Sequence, residues 1–233
     1  MKIHQLLILF EDDYVIAINK PTGLLVHRSA IATNTDRYAL QELRDQIGQQ
    51  VHPIHRLDRK TSGVLLFAKE KHVVKDFQEA MRLSSCRKEY HAIVRGYFPE
   101  KLLLDHPLMN DKGKVQTAQT DFERITQSEL PIPLGRYTTS RYSLIKAFPK
   151  TGRMHQIRKH LNHLRHPIIG DRPHGCNKQN KMFLERWNLS EMLLHARSLE
   201  LYHPFEQYQL RIEAPFFETF RRMKRSLDLG LED

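Results

Sequence analysis

Cysteine is nearly missing from this chain: 233 residues hold two, Cys86 and Cys176. Two isolated thiols make neither a disulfide framework nor a metal knuckle, so both read as incidental and suit the cytoplasm. Long apolar runs are missing as well. None approaches the ~20 residues that a membrane-crossing helix needs, which excludes a helical span. The opening stretch, Met1 to Asp13, is apolar too briefly and lacks a small-residue cleavage site, so no secretory leader is expected. Repeats, low-complexity tracts and linkers are absent, and the expectation is one domain over 1–233. Acid is lacking in one particular place. Between Pro149 and His166 there is no Asp or Glu, although the chain holds 27 of them.

That acid-free stretch carries Lys150, Arg153, Arg158, Lys159 and Arg165, in a chain whose net charge is +10. A basic surplus gathered in one segment points to a polyanion, and nucleic acid is the natural one. Lys150, Arg153, Lys159 and Arg165 are the candidate phosphate contacts. The same stretch holds His155, His160, His163 and His166. Their spacing fits no common zinc pattern, no Cys or acid lies among them, and the arginines would repel a cation. No metal site is expected there. Bonding to phosphate or packing on the surface is the better use of four such rings.

The most informative stretch is His55-Arg56-Leu57-Asp58-Arg59-Lys60-Thr61-Ser62-Gly63, running into Val64 to Ala68. One carboxylate sits among three cations. Thr-Ser-Gly reads as a turn and the apolar run as a buried strand, so Asp58 should occupy a loop at a strand mouth. Taken alone, these residues suit Asp58 equally as a reactive group or as a structural one that neutralises its neighbours or caps the turn.

In chain order, Gln5–Phe10 and Tyr14–Asn19 read as a hairpin around Glu11-Asp12-Asp13, and Lys20-Pro21-Thr22-Gly23 ends the second run with turn chemistry. Tyr38 to Ile47 has helical spacing and stops at Gly48. Val73, Val74, Phe77, Ala80 and Met81 mark a core-facing helix. From Lys88 to Gly96 the chain alternates, with Tyr90, Ala92 and Val94 on one face and His91, Ile93 and Arg95 on the other. Residues 99–135 suggest short strands and loops, with Thr117 to Ile125 the best strand. Arg141 to Phe148 is another alternating strand. A helix then opens over Thr151 to Arg158, with Met154, Ile157, Leu161 and Leu164 as its apolar stripe. Arg158 falls on the stripe's border, so it should be partly buried and in need of an acid. Leu193 to Leu199 reads as a strand, Leu201 to Pro215 as a closing hairpin, and Phe216 to Leu229 as a basic amphipathic helix. Strands outnumber helices and long crossovers are few. The expected fold class is therefore mixed α/β of the α+β type: a bent, largely antiparallel sheet flanked by helices, with a central cleft.

His-Arg-Leu-Asp-x-x-Thr-Ser-Gly resembles the signature of the RluA family of pseudouridine synthases. Further likenesses follow in order. They are Asn-Lys-Pro-x-Gly-Leu-x-Val-His (Asn19 to His27), Lys-Glu-Tyr-x-Ala-x-Val-x-Gly (Lys88 to Gly96), Thr-Gly-Arg-x-His-Gln-Ile-Arg (Thr151 to Arg158), His166 to Asp171, and Leu193 to Leu199. The resemblance implies that Asp58 is catalytic and that Tyr90 packs against the target uracil. It implies that Arg158 pairs with Asp58, that Leu194 helps wall a base-sized pocket, and that Arg56 fills the space left by a flipped nucleotide. Without the resemblance, Tyr90 reads as a core tyrosine and Arg158 only as an arginine seeking some carboxylate. Leu134 to Tyr142 (Leu-Gly-Arg-Tyr-x-x-x-Arg-Tyr), with no small RNA-binding domain ahead of residue 1, is similar to the branch acting on uridine 65 of tRNA. A ribosomal RNA uridine is the alternative.

Such a reaction is an isomerisation and calls for no cofactor. One ionised carboxylate beside a held nucleotide suffices, as nucleophile or as base. Whether Asp58 attacks the sugar, attacks the uracil or removes a proton is left open by the sequence. Two other classes compete. A hydrolytic glycosidase would want a second carboxylate beside Asp58, and a passive RNA-binding module would need only the basic segment. The expected partner is tRNA, met by a monomer.

Overall fold

The computed structural model describes residues 5–27 and 37–230. In chain order the elements are β1 (Leu7–Glu11), β2 (Val15–Lys20), α1 (Ala39–Ile47), β3 (His52–Pro53), β4 (Ser62–Ala68) and α2 (Val74–Ala80). There follow β5 (Arg87–Arg95), β6 (Lys101–Asp105), β7 (Leu108–Met109), β8 (Val115–Gln116), β9 (Gln119–Leu130) and β10 (Ser140–Pro149). The last are α3 (Gln156–His163), α4 (Asn177–Trp187), β11 (Leu194–Tyr202), β12 (Gln209–Glu213) and α5 (Glu218–Ser226). The class is α+β, with a large, mostly antiparallel sheet and few helices. No helix of the described residues is long and apolar enough to cross a membrane.

The chain divides into two compact units. One takes in the chain up to Lys88 together with Ala196–Pro215, and the other holds Glu89–His195 with the residues from Phe216 onward. In the first, β1 pairs β2, β2 pairs β4, and β12 pairs β11, all antiparallel. Every residue of β2 and β4 is buried, which is why Val15 to Ile18 and Val64 to Ala68 are continuous apolar runs rather than alternating ones. The faces of Val15, Ala17, Val64 and Leu66 join Phe77 and Ala80 of α2, and Leu199, Leu201, Leu210 and Ile212, in one core. Fully burying a ring such as Phe77 contributes roughly 1.5–3 kcal/mol. The helix α1 ends as expected, on Gly48 at φ 69°, whose N–H caps Arg44.

Gly63 corrects the sequence expectation. It lies inside β4 rather than in a turn, at φ 110°, and a Cβ there would stand 2.1 Å from the Ala196 carbonyl oxygen. The glycine of Thr-Ser-Gly is thus required by the close approach of another backbone.

In the second unit β5, β10, β9 and β6 lie side by side, antiparallel. The alternation of β5 sorts as expected. Ala92 and Val94 enter a core with Ile145, Ile157, Leu161 and Leu194, while Ile93 enters another with Tyr142, Phe183, Phe216 and Phe220. Three elements differ from expectation. The strand β9 continues past Ile125 to Leu130, because β10 pairs it from Thr120 to Leu130, while β6 flanks only Gln119 to Glu123. The helix α3 starts at Gln156, not near Thr151. His155 sits in the left-handed region at φ 55° and interrupts the turn, leaving Met154 outside the helix and 39% exposed. And α4 had no counterpart in the sequence reading.

Candidate active site

Asp58 is positioned from several directions. Its loop runs from β3 to β4, with Leu57 buried beneath it, Arg56 and Arg59 exposed on either side, and Asp58 half-buried. The Thr61 N–H donates to the Asp58 carbonyl (3.1 Å), closing the turn. The Lys20–Leu24 turn, which carries the second sequence motif, is laced to the same loop. The Gly23 N–H donates to the Arg59 carbonyl (2.8 Å) and Arg59 Nε returns a bond to the Gly23 carbonyl (3.0 Å). Thr22 Oγ1 donates to the Lys60 carbonyl (2.9 Å).

Lys20, wholly buried, stitches the two together. Its Nζ donates to the carbonyls of Pro21 (2.9 Å), Leu24 (2.9 Å) and Arg59 (3.2 Å). Burial pulls the Lys20 ammonium down to about 7, while the Asp58 charge works the other way. This role was absent from the sequence reading. A lysine ordinarily keeps its head in water, and nothing in the local pattern says that this one does not.

His55 fixes the start of the loop. Its Nε2 accepts the Leu66 N–H at 3.1 Å, which requires that nitrogen to be unprotonated. Burial pulls the His55 imidazole down to about 4; the charge of Lys88 acts in the same sense, and a bond with the Arg56 backbone opposes it. Unfolded, the ring takes up a proton near 6.5; folded, it resists until about 4. Its contribution is therefore present above 6.5 and lost as the pH falls through 4, amounting to about 3 kcal/mol at most. Thermal melts between pH 7 and pH 4.5 should show the wild type losing stability faster than His55→Gln, which can still accept from Leu66. Parallel curves would remove His55 as the cause.

The second unit holds Tyr90, Arg158 and Leu194. Tyr90 is half-buried on β5, opposite Ala147, and packs on the core that contains Leu194 and Ile157. The pattern that makes it a core tyrosine and the one that makes it a substrate contact are therefore compatible. Arg158 follows Ile157 on α3 and is buried, more fully than the partial burial that its position on the stripe's border implies. Its acid in this unit is Asp171, itself 1% exposed: Nε donates to Oδ2 at 2.7 Å and Nη2 to Oδ1 at 2.8 Å. Gln156 was likewise unforeseen as an organiser. Buried at the head of α3, it accepts from Thr151 Oγ1 (2.7 Å) and the Arg153 N–H (3.1 Å), and donates to the Gln119 carbonyl (2.9 Å). It replaces the missing first turn with side-chain bonds.

The basic segment is less uniform than its sequence suggests. Lys150 meets Asp121 of β9 at 3.0 Å, Arg153 Nε donates to the Thr117 carbonyl, and Lys159 to the Met109 carbonyl. Arg165 is exposed, at φ 62°. The acids missing locally are supplied by the fold, as Asp121 and Asp171. The histidines mostly have structural duties. His160 is buried between the Thr120 hydroxyl and the His106 carbonyl, and burial lowers its pKa. His166 bonds the Arg95 carbonyl, His163 stacks on His106, and His155 bonds His174. No group of three or more metal-ligating side chains occurs among the described residues.

Comparison with known proteins gives a consistent picture. The family model described as RNA pseudouridylate synthase matches residues 14–163, a span that includes Lys20, Asp58, Tyr90 and Arg158. The tRNA pseudouridine synthase C of Vibrio cholerae is 42% identical over 225 residues, covering 92% of each chain. That of Haemophilus ducreyi is 45% identical over 217 residues, covering 89% of each. Among solved structures, human RNA pseudouridylate synthase domain containing 4 superposes with a TM-score of 0.73 at 25% identity, covering 95% of this chain and 93% of its own. Matched by that family model over residues 14–163 and by these relatives over about nine-tenths of its length, this chain belongs to the RNA pseudouridylate synthase family.

Proposed function

We propose that this protein isomerises uridine to pseudouridine in tRNA, at uridine 65 of the T stem, acting as a monomer in the cytoplasm. The observation that carries the reading is the likeness to curated tRNA pseudouridine synthases C over nine-tenths of the chain, joined to the literal Asp58 motif. In the reaction the bond from the sugar C1′ to N1 of uracil breaks and one from C1′ to C5 forms. The proton lost from C5 is balanced by one gained at N1, so neither water nor a redox partner is consumed. Asp58 supplies the carboxylate. By the family resemblance Tyr90 stacks on the uracil, Leu194 walls its pocket, Arg158 keeps the catalytic acid ionised, and Arg56 enters the base stack.

Carbodiimide labelling and primer extension on total RNA, with and without the protein, tests this directly. A new stop at uridine 65 of tRNA is the expected result. A stop only in ribosomal RNA would move the substrate, and no stop in any RNA would end the proposal.

RNA binding should be strongly salt-dependent. Four phosphate contacts from Lys150, Arg153, Lys159 and Arg165 correspond to a slope of about −3 in log affinity against log salt. The exposed Lys150–Asp121 pair is no obstacle, since such pairs hold weakly and exchange for phosphate. Filter binding from low to high salt measures the slope. A flat line would reject the segment as the RNA footprint.

A further inference from the structure

The Arg158–Asp171 pair is buried more deeply than stability alone explains. Side-chain exposures are 5% and 1%, and removing two charges from water costs several kcal/mol per ion before their attraction offsets it. An apolar pair of similar volume would hold α3 in place as well. What an ion pair adds is geometry. The two parallel bonds, 2.7 and 2.8 Å long, fix the plane of the guanidinium and commit its Nε–Nη2 edge. Any further acceptor must then be met through the edge that carries Nη1.

Asp171 is itself held with unusual care. Its N–H donates to the Ile168 carbonyl (3.3 Å), its carbonyl accepts from Asn180 Nδ2 (2.8 Å), and the same Asn180 accepts the Gly170 N–H (2.9 Å). The His174 N–H reaches Asp171 Oδ1 at 3.3 Å. On either side the backbone closes in. A Cβ at Gly170 would stand 1.8 Å from the Glu191 carbonyl oxygen, and one at Gly175 1.7 Å from that of Asp171. Two glycines and one asparagine thus build a rigid turn whose carboxylate cannot swing. Asn180 comes from α4, the helix that had no counterpart in the sequence reading.

We infer that Asp171 is the positioning residue of Arg158: it sets the orientation in which that guanidinium serves the isomerisation, and it acts only through Arg158. The inference rests on the proposed function. A carboxylate acting through one arginine has a signature that a structural one lacks, because its loss does nothing once the arginine is compromised.

The experiment is a double-mutant cycle on the single-turnover rate of pseudouridine formation in tRNA, with Asp171→Asn, Arg158→Lys and the double variant. Asp171→Asn keeps shape and one acceptor while losing the charge and one prong. It should slow turnover by ~10²-fold, the scale of a small misplacement of a reacting group, with tRNA affinity changed less than about twofold. Arg158→Lys cannot make the fork at all. The double variant should be no slower than Arg158→Lys alone. Multiplicative losses in the double variant would overturn the inference, as would a fall in tRNA affinity or melting temperature that accounts for the Asp171→Asn loss. Asp171→Glu, with the charge kept but the reach lengthened, should fail to restore the rate. Full activity in that variant would show that charge alone suffices and overturn the inference too. A wild type that forms no pseudouridine would bring down the functional reading and this one together, whereas an active wild type with independent losses brings down this one alone.

Discussion

Asp58→Asn should bind tRNA as the wild type does and form no pseudouridine. The substitution keeps volume and removes the charge, and it leaves in place the backbone bonds that shape the loop. The backbone carbonyl of Asp58 closes the turn with Thr61, and the bonds from Lys20, Thr22 and Gly23 go to Arg59 and Lys60. Loss of the only group proposed to act as nucleophile or base should cost at least ~10³-fold in single-turnover rate. Release of tritium from C5-labelled uridine in tRNA measures that rate, and a melt with a binding isotherm controls for folding and affinity. A variant that kept a tenth of the wild-type rate would show that Asp58 is not the catalytic group.

Arg56→Ala should separate folded from unfolded substrates. Arg56 is exposed, two residues from Asp58 on the same loop, with buried Leu57 between them as its anchor. A uridine in a stem must be unpaired and unstacked before any chemistry, which costs a few kcal/mol. A planar side chain that stays charged can occupy the vacated stack and bond phosphate at once. Losing ~2 kcal/mol of that compensation slows modification of intact tRNA about 30-fold. A short single-stranded oligonucleotide has no pair to open and should be modified almost as fast as by the wild type. Equal losses on the two substrates would give Arg56 to the chemistry or the loop's shape instead.

How much of this was legible in the sequence depended on whether the signal was local. The strand β5 was readable because its alternation matches two separate cores, one for Ala92 and Val94, the other for Ile93. The helix α1 carried its own stop signal in Gly48. By contrast α4, Asn-Lys-Gln-Asn-Lys-Met-Phe-Leu-Glu-Arg-Trp, buries only Gln179 and Phe183, too sparse a stripe to show a period. The Asp58 loop could be found from its residue types, but what holds it could not. Lys20 meets Arg59 across 39 positions, and Gln156 meets Gln119 across 37. For Arg158 the sequence called for burial and an acid, and the geometry supplied Asp171, thirteen positions downstream on a turn built by two glycines.

The unit that carries Asp58 is not continuous in the chain, and this orders events during synthesis. Its core includes Leu199, Leu201, Leu210 and Ile212 beside Val15, Val64 and Phe77. A ribosome has therefore made the whole of Glu89–His195 before the residues that seal the Asp58 unit emerge. A nascent chain stopped at Lys88 has α2 to pack on β2 and β4 but lacks Leu199, Leu201, Leu210 and Ile212, an incompletely covered state prone to aggregation. The unit that holds Asp58 is completed late, once Ala196–Pro215 has been added to it. A circular permutant opened between Lys88 and Glu89 would reverse that order, delivering Glu89–His195 first and the segment up to Lys88, with Asp58 in it, last.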